Sequence, residues 1–282
     1  MADSARVVQH RAGPKADPRT RFVMNALIKH LHAFVKETGL TMEEWMQGIQ
    51  FLTATGHMCT EWRQEFILLS DVLGVSMLVD ALNHGTTPGA TESTVLGPFH
   101  VAGAPRYPNG ANICLDGKGE PVWVEGRVLK PDGRPLAGAE VDVWQANEDG
   151  FYDVQQKGVQ PDMNLRGLFT TDRLGRFSFR SVYPRHYPIP VDGPVGKLLT
   201  ALDRAHTRPA HLHFKVSARG HAPLTTHLFT PDCPWLGDDA VFGVKESLIA
   251  DFRHIDDPKL AKKLGMPNPF RKVTWDFVLE KI

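Results

Sequence analysis

A chain of 282 residues is long enough for one large core, or for a core plus a smaller domain. Its 32 basic and 32 acidic residues balance at zero net charge, so no bulk field favours nucleic acid or an anionic membrane surface. No run of about 18 apolar residues occurs, which argues against a membrane span, and the three scattered cysteines suggest neither a disulfide framework nor a zinc ribbon and fit a reducing cytoplasm.

The first 20 residues lack the apolar stretch of a secretory signal and are expected to form a mobile arm. Residues 21–90 read as a helical domain with its linker. Phe22, Val23, Ala26, Leu27, Leu31, Phe34 and Val35 recur at three- and four-residue steps until Gly39. Thr41 and Glu44 have capping-box spacing ahead of a second helix carrying Trp45, Met46, Ile49 and Leu52. A third helix is expected from Glu61 to Gly85, carrying Trp62, Phe66, Leu69, Leu73, Leu78 and Leu82. Three helices make a thin core, so part of this apolar surface is expected to meet a second subunit.

Residues 91–282 read as mainly β. Val122, Val124 and Val128 alternate with polar neighbours, and a Pro-Asp-Gly turn follows before a returning strand at Ala139–Trp144. Phe169–Val182 reads as a hairpin about Asp172–Gly175. Strands at His211–Ser217, Leu224–Phe229 and Val273–Leu279 complete a β-sandwich. Long insertions at 146–168, 184–207 and 231–260 interrupt it.

Two histidines two apart on one strand, His211 and His213, point to the same face. Tyr152 and Tyr187 each lie just past a strand's end, where sites are usually built. Phenolate oxygen is a hard anionic donor, so two phenols with two imidazoles favour a trivalent ion. Zinc would be expected to recruit cysteine or carboxylate instead. Fe(III) held by two tyrosines and two histidines, one ion per subunit, is the chemical reading.

The ordered set TESTVLGPFHVAGAP, DVWQANEDGFYD, RHYPIPVDGPVGKLL, RPAHLHF and DDAVFGVKESL resembles the intradiol ring-cleavage dioxygenases of the catechol 1,2-dioxygenase branch. The runs around Tyr187 and Thr94–Phe99 resemble its hydroxyquinol members more closely. The resemblance implies a β-sandwich catalytic domain, an N-terminal helical dimerisation domain, and an aromatic diol or triol and O2 as substrates. A phospholipid between the helices is a further implication. Tyr152, Tyr187, His211 and His213 match the iron ligands, with Tyr187 the displaceable one that serves as a base. Arg208 matches the arginine that stabilises negative charge during oxygen insertion. Leu78, Val79, Asp80, Val95, Leu96 and Gly97 fall where the family lines its ring pocket. Asp80 is a candidate acceptor for a third ring hydroxyl. His227 stands where many catechol members have glutamine, and reads as a supporting residue. Catechol or chlorocatechol cleavage is the alternative within the family, and a transthyretin-like ligand-binding module the alternative outside it.

Overall fold

The computed structural model describes residues 4–60, 63–84 and 87–282. They form two compact units that divide between His57 and Met58. The first unit holds α1 (Ser4–Gln9), α2 (Pro18–Thr38) and α3 (Met42–His57). Part of the expected arm is therefore helical, and it is tied to α2 by a hydrogen bond from the Gln9 amide to the Asn25 carbonyl. Asp17 caps α2 by accepting from the Thr20 backbone N–H, and the Gly39 N–H closes the helix on the Val35 carbonyl. The capping box is present: Thr41 N–H donates to Glu44, and Glu44 N–H donates to the Thr41 hydroxyl. No residue of α2 is buried, and Phe22, Leu27, Leu31, Phe34, Trp45 and Ile49 all stand exposed.

The second unit begins with α4 (Glu65–Val72) and α5 (Val75–Asn83). One continuous helix was the expectation; Gly74, in the left-handed region at φ 72°, breaks it in two. The expected ends at Glu61, Trp62 and Gly85 lie outside the described residues.

The sandwich follows. Its strands are β1 (Pro121–Leu129), β2 (Glu140–Trp144), β3 (Arg166–Thr170), β4 (Arg176–Val182) and the two-residue β5 (Tyr187–Pro188). After α6 (Pro194–Ala201) come β6 (Thr207–Arg208), β7 (His211–Ser217), β8 (Leu224–Phe229) and β9 (Arg253–Ile255). Helix α7 (Pro258–Leu264) and β10 (Phe270–Val278) end the chain. One sheet has the order β4-β1-β10-β9, the other β3-β2-β7-β8, and β5 and β6 pair by themselves.

The two expected reversals change sheets. Strand β1 pairs with β4 and β10, whereas β2 pairs with β3 and β7, so neither β1–β2 nor β3–β4 is a hairpin. Turn residues specify that the chain reverses, but which edge the next strand joins is set by tertiary burial. The core between the sheets takes Val122, Val124 and Val128 from β1, Val141 and Val143 from β2, and Leu212, Phe214 and Val216 from β7. Phe177, Phe179, Val273 and Phe277, from the strands that flank β1, complete it. Each such side chain contributes about 1.5–3 kcal/mol by leaving water.

Candidate metal centre

The first four residues of β7 are buried on both faces of the sheet. Leu212 and Phe214 enter the core, so His211 and His213 must point the other way, and loops cover them there. Gly97 is part of that cover. At φ 74° it lets the backbone pass so closely that an added Cβ would lie 3.3 Å from Cε1 of His213. Trp144 is the β2 partner of His213 and stacks on it, with ring centroids 4.7 Å apart and planes 11° apart.

Tyr152 arrives from the insertion after β2. The Asn147 side chain accepts from the Asp149 and Phe151 N–H groups and shapes the turn that precedes it. Behind it, buried Arg166 donates to Asp153 through Nε at 2.8 Å and Nη2 at 2.6 Å, and through Nη1 to the Phe99 carbonyl at 2.7 Å. That one guanidinium ties the Tyr152 loop to the Phe99 loop, and the Phe99 ring stacks on Tyr152 at 4.4 Å. Tyr187 sits on β5, and its register partner on β6 is Arg208.

The four side chains named from the sequence meet in one buried place, all at most 3% exposed. The Tyr152 hydroxyl lies 3.2 Å from that of Tyr187 and 2.9 Å from Nε2 of His213. Nε2 of His211 is 3.0 Å from Nε2 of His213. Nδ1 of His211 is 2.6 Å from the Pro209 carbonyl, which can only accept, so Nδ1 carries the proton and Nε2 presents a lone pair. Phenol oxygens and imidazole lone pairs turned toward each other in a dry site fit a shared cation. Two phenols and two imidazoles, held by outer hydrogen bonds and stacking, are a donor set that suits such an ion.

Burial governs the protonation of these groups. It raises the Tyr152 phenol well above its ordinary range, helped by Tyr187, and raises Tyr187 although Arg208 opposes it. Burial, then the Arg208 charge, pushes His211 down to about 3. His213 and His227 are also driven well below the usual imidazole range, first by burial and then by neighbouring imidazoles. The imidazoles are thus neutral at pH 7, with lone pairs available to a cation, while the phenols need a strong cation to lose their protons.

Arg208 is 3% exposed and lies 3.5 Å from Nε2 of His211. Its partner is Asp239, not singled out in the sequence although it stands in the Asp-Asp-Ala-Val-Phe-Gly run. Arg208 Nε donates to Oδ1 at 3.2 Å and Nη2 to Oδ2 at 3.3 Å. The Gly243 N–H also donates to Asp239, at 2.9 Å. Burial opposes both charges, but the pair prevails: the guanidinium is held more firmly protonated and the carboxyl more firmly ionised.

The candidate ring-pocket residues separate. Val95 is buried in an apolar cluster with Leu68, Val72, Ile189 and Val241, and Gly97 touches the centre as described. Leu78, Val79 and Leu96 are exposed. On α5 it is Met77 that packs against the cluster, because one residue turns a helix by about 100°. The Asp80 carboxylate is engaged at both oxygens, by His84 Nδ1 at 2.9 Å and the Ser93 hydroxyl at 2.8 Å, with Lys245 Nζ at 3.7 Å. A cleft of about 220 Å³ is lined by Arg63, Leu68, Phe99, Val154 and Pro190, and so shares with the site the Phe99 ring that stacks on Tyr152. His227 is fully buried beside His211 and His213. Sequence reasoning missed Trp144, Phe99, Ile189 and Val241, whose only signal was membership of motifs noted for other residues, and Arg166, which lies outside those motifs.

A sandwich bearing two buried phenols, two buried imidazoles and an adjacent arginine has the donor set of a metal-binding protein. Comparison with known proteins agrees. Residues 96–281 match the family model described as Dioxygenase, and residues 17–91 match that for the catechol dioxygenase N terminus. The chain is 59% identical to a hydroxyquinol 1,2-dioxygenase of Rhizobium sp. (strain MTP-10005), covering 99% of this chain and 95% of that protein. It is 52% identical to a 6-chlorohydroxyquinol 1,2-dioxygenase of Cupriavidus pinatubonensis, over 86% of this chain and 87% of the relative. The solved hydroxyquinol 1,2-dioxygenase of Pseudomonas putida DLL-E4 superposes with a TM-score of 0.89 at 46% identity, covering 99% of each chain. The chain belongs to the intradiol ring-cleavage dioxygenases, enzymes that use non-haem iron.

Proposed function

We propose that this enzyme cleaves hydroxyquinol (benzene-1,2,4-triol) with O2 between its two adjacent hydroxyl-bearing carbons. The product is 3-hydroxy-cis,cis-muconate, which tautomerises to maleylacetate, and both oxygen atoms end in it. The observation that carries the reading is the convergence of Tyr152, Tyr187, His211 and His213 with donor atoms 2.9–3.2 Å apart. These four would hold one Fe(III), which lowers the pKa of bound hydroxyls and accepts charge from the aromatic ring. The triol ring of the similar proteins' named substrates supports hydroxyquinol over catechol.

The chain's own groups then have distinct tasks. Tyr187, on a two-residue strand, would hold the metal as a tyrosinate and in that deprotonated form accept a substrate proton, while Tyr152 is clamped by Phe99 and by the Arg166–Asp153 pair behind it. Arg208 is the cation for negative charge growing on substrate oxygen, and Asp239 holds its guanidinium plane. Val95, Ile189 and Val241 offer the apolar wall for the ring. Asp80 accepts the third hydroxyl: a carboxylate has about four acceptor positions, and His84 and Ser93 occupy two.

Oxygen uptake with hydroxyquinol and with catechol, followed by product analysis under ¹⁸O₂, tests the reading. Faster turnover of hydroxyquinol and incorporation of two labelled atoms are expected. A preference for catechol would move the assignment to that substrate, and a ring-opened semialdehyde would overturn intradiol cleavage.

Pairing of two subunits through the first unit is proposed on its exposed row of Phe22, Leu27, Leu31, Phe34, Trp45 and Ile49. The same row suits a phospholipid acyl chain, which mass spectrometry of the denatured protein would detect. A cytoplasmic setting is proposed on cysteine usage: Cys59, Cys114 and Cys233 are odd in number and widely spaced in the chain, which suggests no disulfide framework. No helix among the described residues is long and apolar enough to cross a membrane.

A further inference from the structure

His227 is not explained by anything above. It lies on β8 directly opposite His213, so its side chain shares the face that carries His211 and His213. Its ring is 0% exposed, with centroids 4.6 Å from that of His211 and 4.3 Å from that of His213. Neither of its nitrogens has a hydrogen-bond partner, although the Val95 backbone comes near without bonding geometry. A fully buried imidazole left unpaired is unfavourable, and core histidines normally satisfy at least one nitrogen. One nitrogen from each of His211, His213 and His227 lies within 4.8 Å of the others.

We propose that His211, His213 and His227 form a second donor set that takes a divalent ion such as Zn²⁺ or Co²⁺ through three imidazoles. This set overlaps the tyrosine-bearing one at two residues, so one chain holds either kind of ion and never both. The donor chemistry separates them. Three neutral nitrogens and one open position are a familiar arrangement for four-coordinate zinc, and they need no phenolate. A trivalent ion is drawn instead to the two hard phenol oxygens, toward which His227 contributes nothing. The inference requires only the geometry of three imidazoles and does not rest on the ferric reading of the site. Its consequence is that excess zinc competes with iron loading at His211 and His213, and that His227 sets how strongly.

The test uses the full-length metal-free protein, titrated with Co²⁺ and then with Zn²⁺, beside its His227→Gln and Tyr152→Phe variants. The unmodified protein is expected to show the intense visible bands of four-coordinate cobalt, bleached by zinc. His227→Gln is expected to weaken zinc binding by roughly tenfold or more, within the range seen when groups around a metal are removed. Tyr152→Phe, which removes a hydroxyl 2.9 Å from Nε2 of His213, is expected to change zinc affinity much less than His227→Gln does. Zinc held as tightly by His227→Gln as by the unmodified protein overturns the proposal, as does loss of zinc binding in a folded Tyr152→Phe. X-ray absorption of the zinc-loaded unmodified protein serves if His227→Gln does not fold. Three imidazoles support the second set; two imidazoles with phenolate oxygen contradict it.

Discussion

The two faces of the β3-β2-β7-β8 sheet are both buried around His211–Phe214, and there they are chemically opposite. On one, Val141, Val143, Leu212, Phe214 and Val216 pack as an apolar core. On the other, one residue away along the same strands, Trp144, His211, His213 and His227 are buried with Tyr152 and Tyr187 above them. Burial stabilises the first face. On the second it disfavours charge, and Nδ1 of His213, both nitrogens of His227 and the Trp144 indole nitrogen lack partners. One strand can therefore do both jobs, since its period of two separates them completely. The face that gains nothing from burial is the one that needs a cation to complete it.

The strongest way to break this contrast is to remove a donor. His213→Ala should abolish stoichiometric iron binding and activity while circular dichroism keeps the sandwich signature. Iron content and oxygen uptake check it. Phe214→Ala, the next residue on the core side, should do the reverse. It should lower stability by about 3–5 kcal/mol in denaturant unfolding, while the folded fraction still binds iron. Equal effects of the two substitutions on iron content would contradict the division of faces.

A smaller effect is expected at Asp239→Asn. It leaves the Arg208 guanidinium buried without its countercharge, so kcat should fall by roughly 10²-fold with little change in iron content. A variant with normal kcat would remove Arg208 alignment from the proposed chemistry. Smaller again is Asp80→Asn, expected to lower the ratio of hydroxyquinol to catechol turnover by about tenfold while leaving catechol turnover in place. An unchanged ratio would clear Asp80 of that role.

The site face should also reveal itself through pH. The folded pKa of His211 is about 3, below the ordinary value of about 6.5. Between those values the unfolded chain binds the extra proton, so stability rises with pH across this window. Metal-free protein should accordingly lose thermal stability as pH falls from 6.5 toward 3, and His211→Gln should lessen the slope. A flat profile in that window would mean that His211 is not buried neutral.

Much of the site was readable because its chemistry is local in sequence. The i, i+2 spacing of His211 and His213 dictates a shared face, and tyrosines at strand ends are natural loop donors. The fold's class was readable from alternation. What was not readable depends on contacts between distant segments. The change of sheet between β1 and β2, and again between β3 and β4, follows from burial of both strands rather than from the turns that precede them. Asp239 acquires its task only when a loop 31 residues along the chain returns to Arg208. That Met77 rather than Leu78 or Val79 packs into the apolar cluster was also not readable, because the break at Gly74 sets the phase of α5. His227 resembled a substituted glutamine in sequence; its lack of any hydrogen bond became visible only in three dimensions.

Resonance Raman spectroscopy of the iron-loaded protein, excited within its visible absorption, tests the convergence of Tyr152 and Tyr187 on one ion most directly. Tyrosinate ring vibrations should be enhanced, and Tyr152→Phe should remove much of their intensity and of the wine-red colour. One iron per chain with no tyrosinate enhancement would contradict the phenol–imidazole centre.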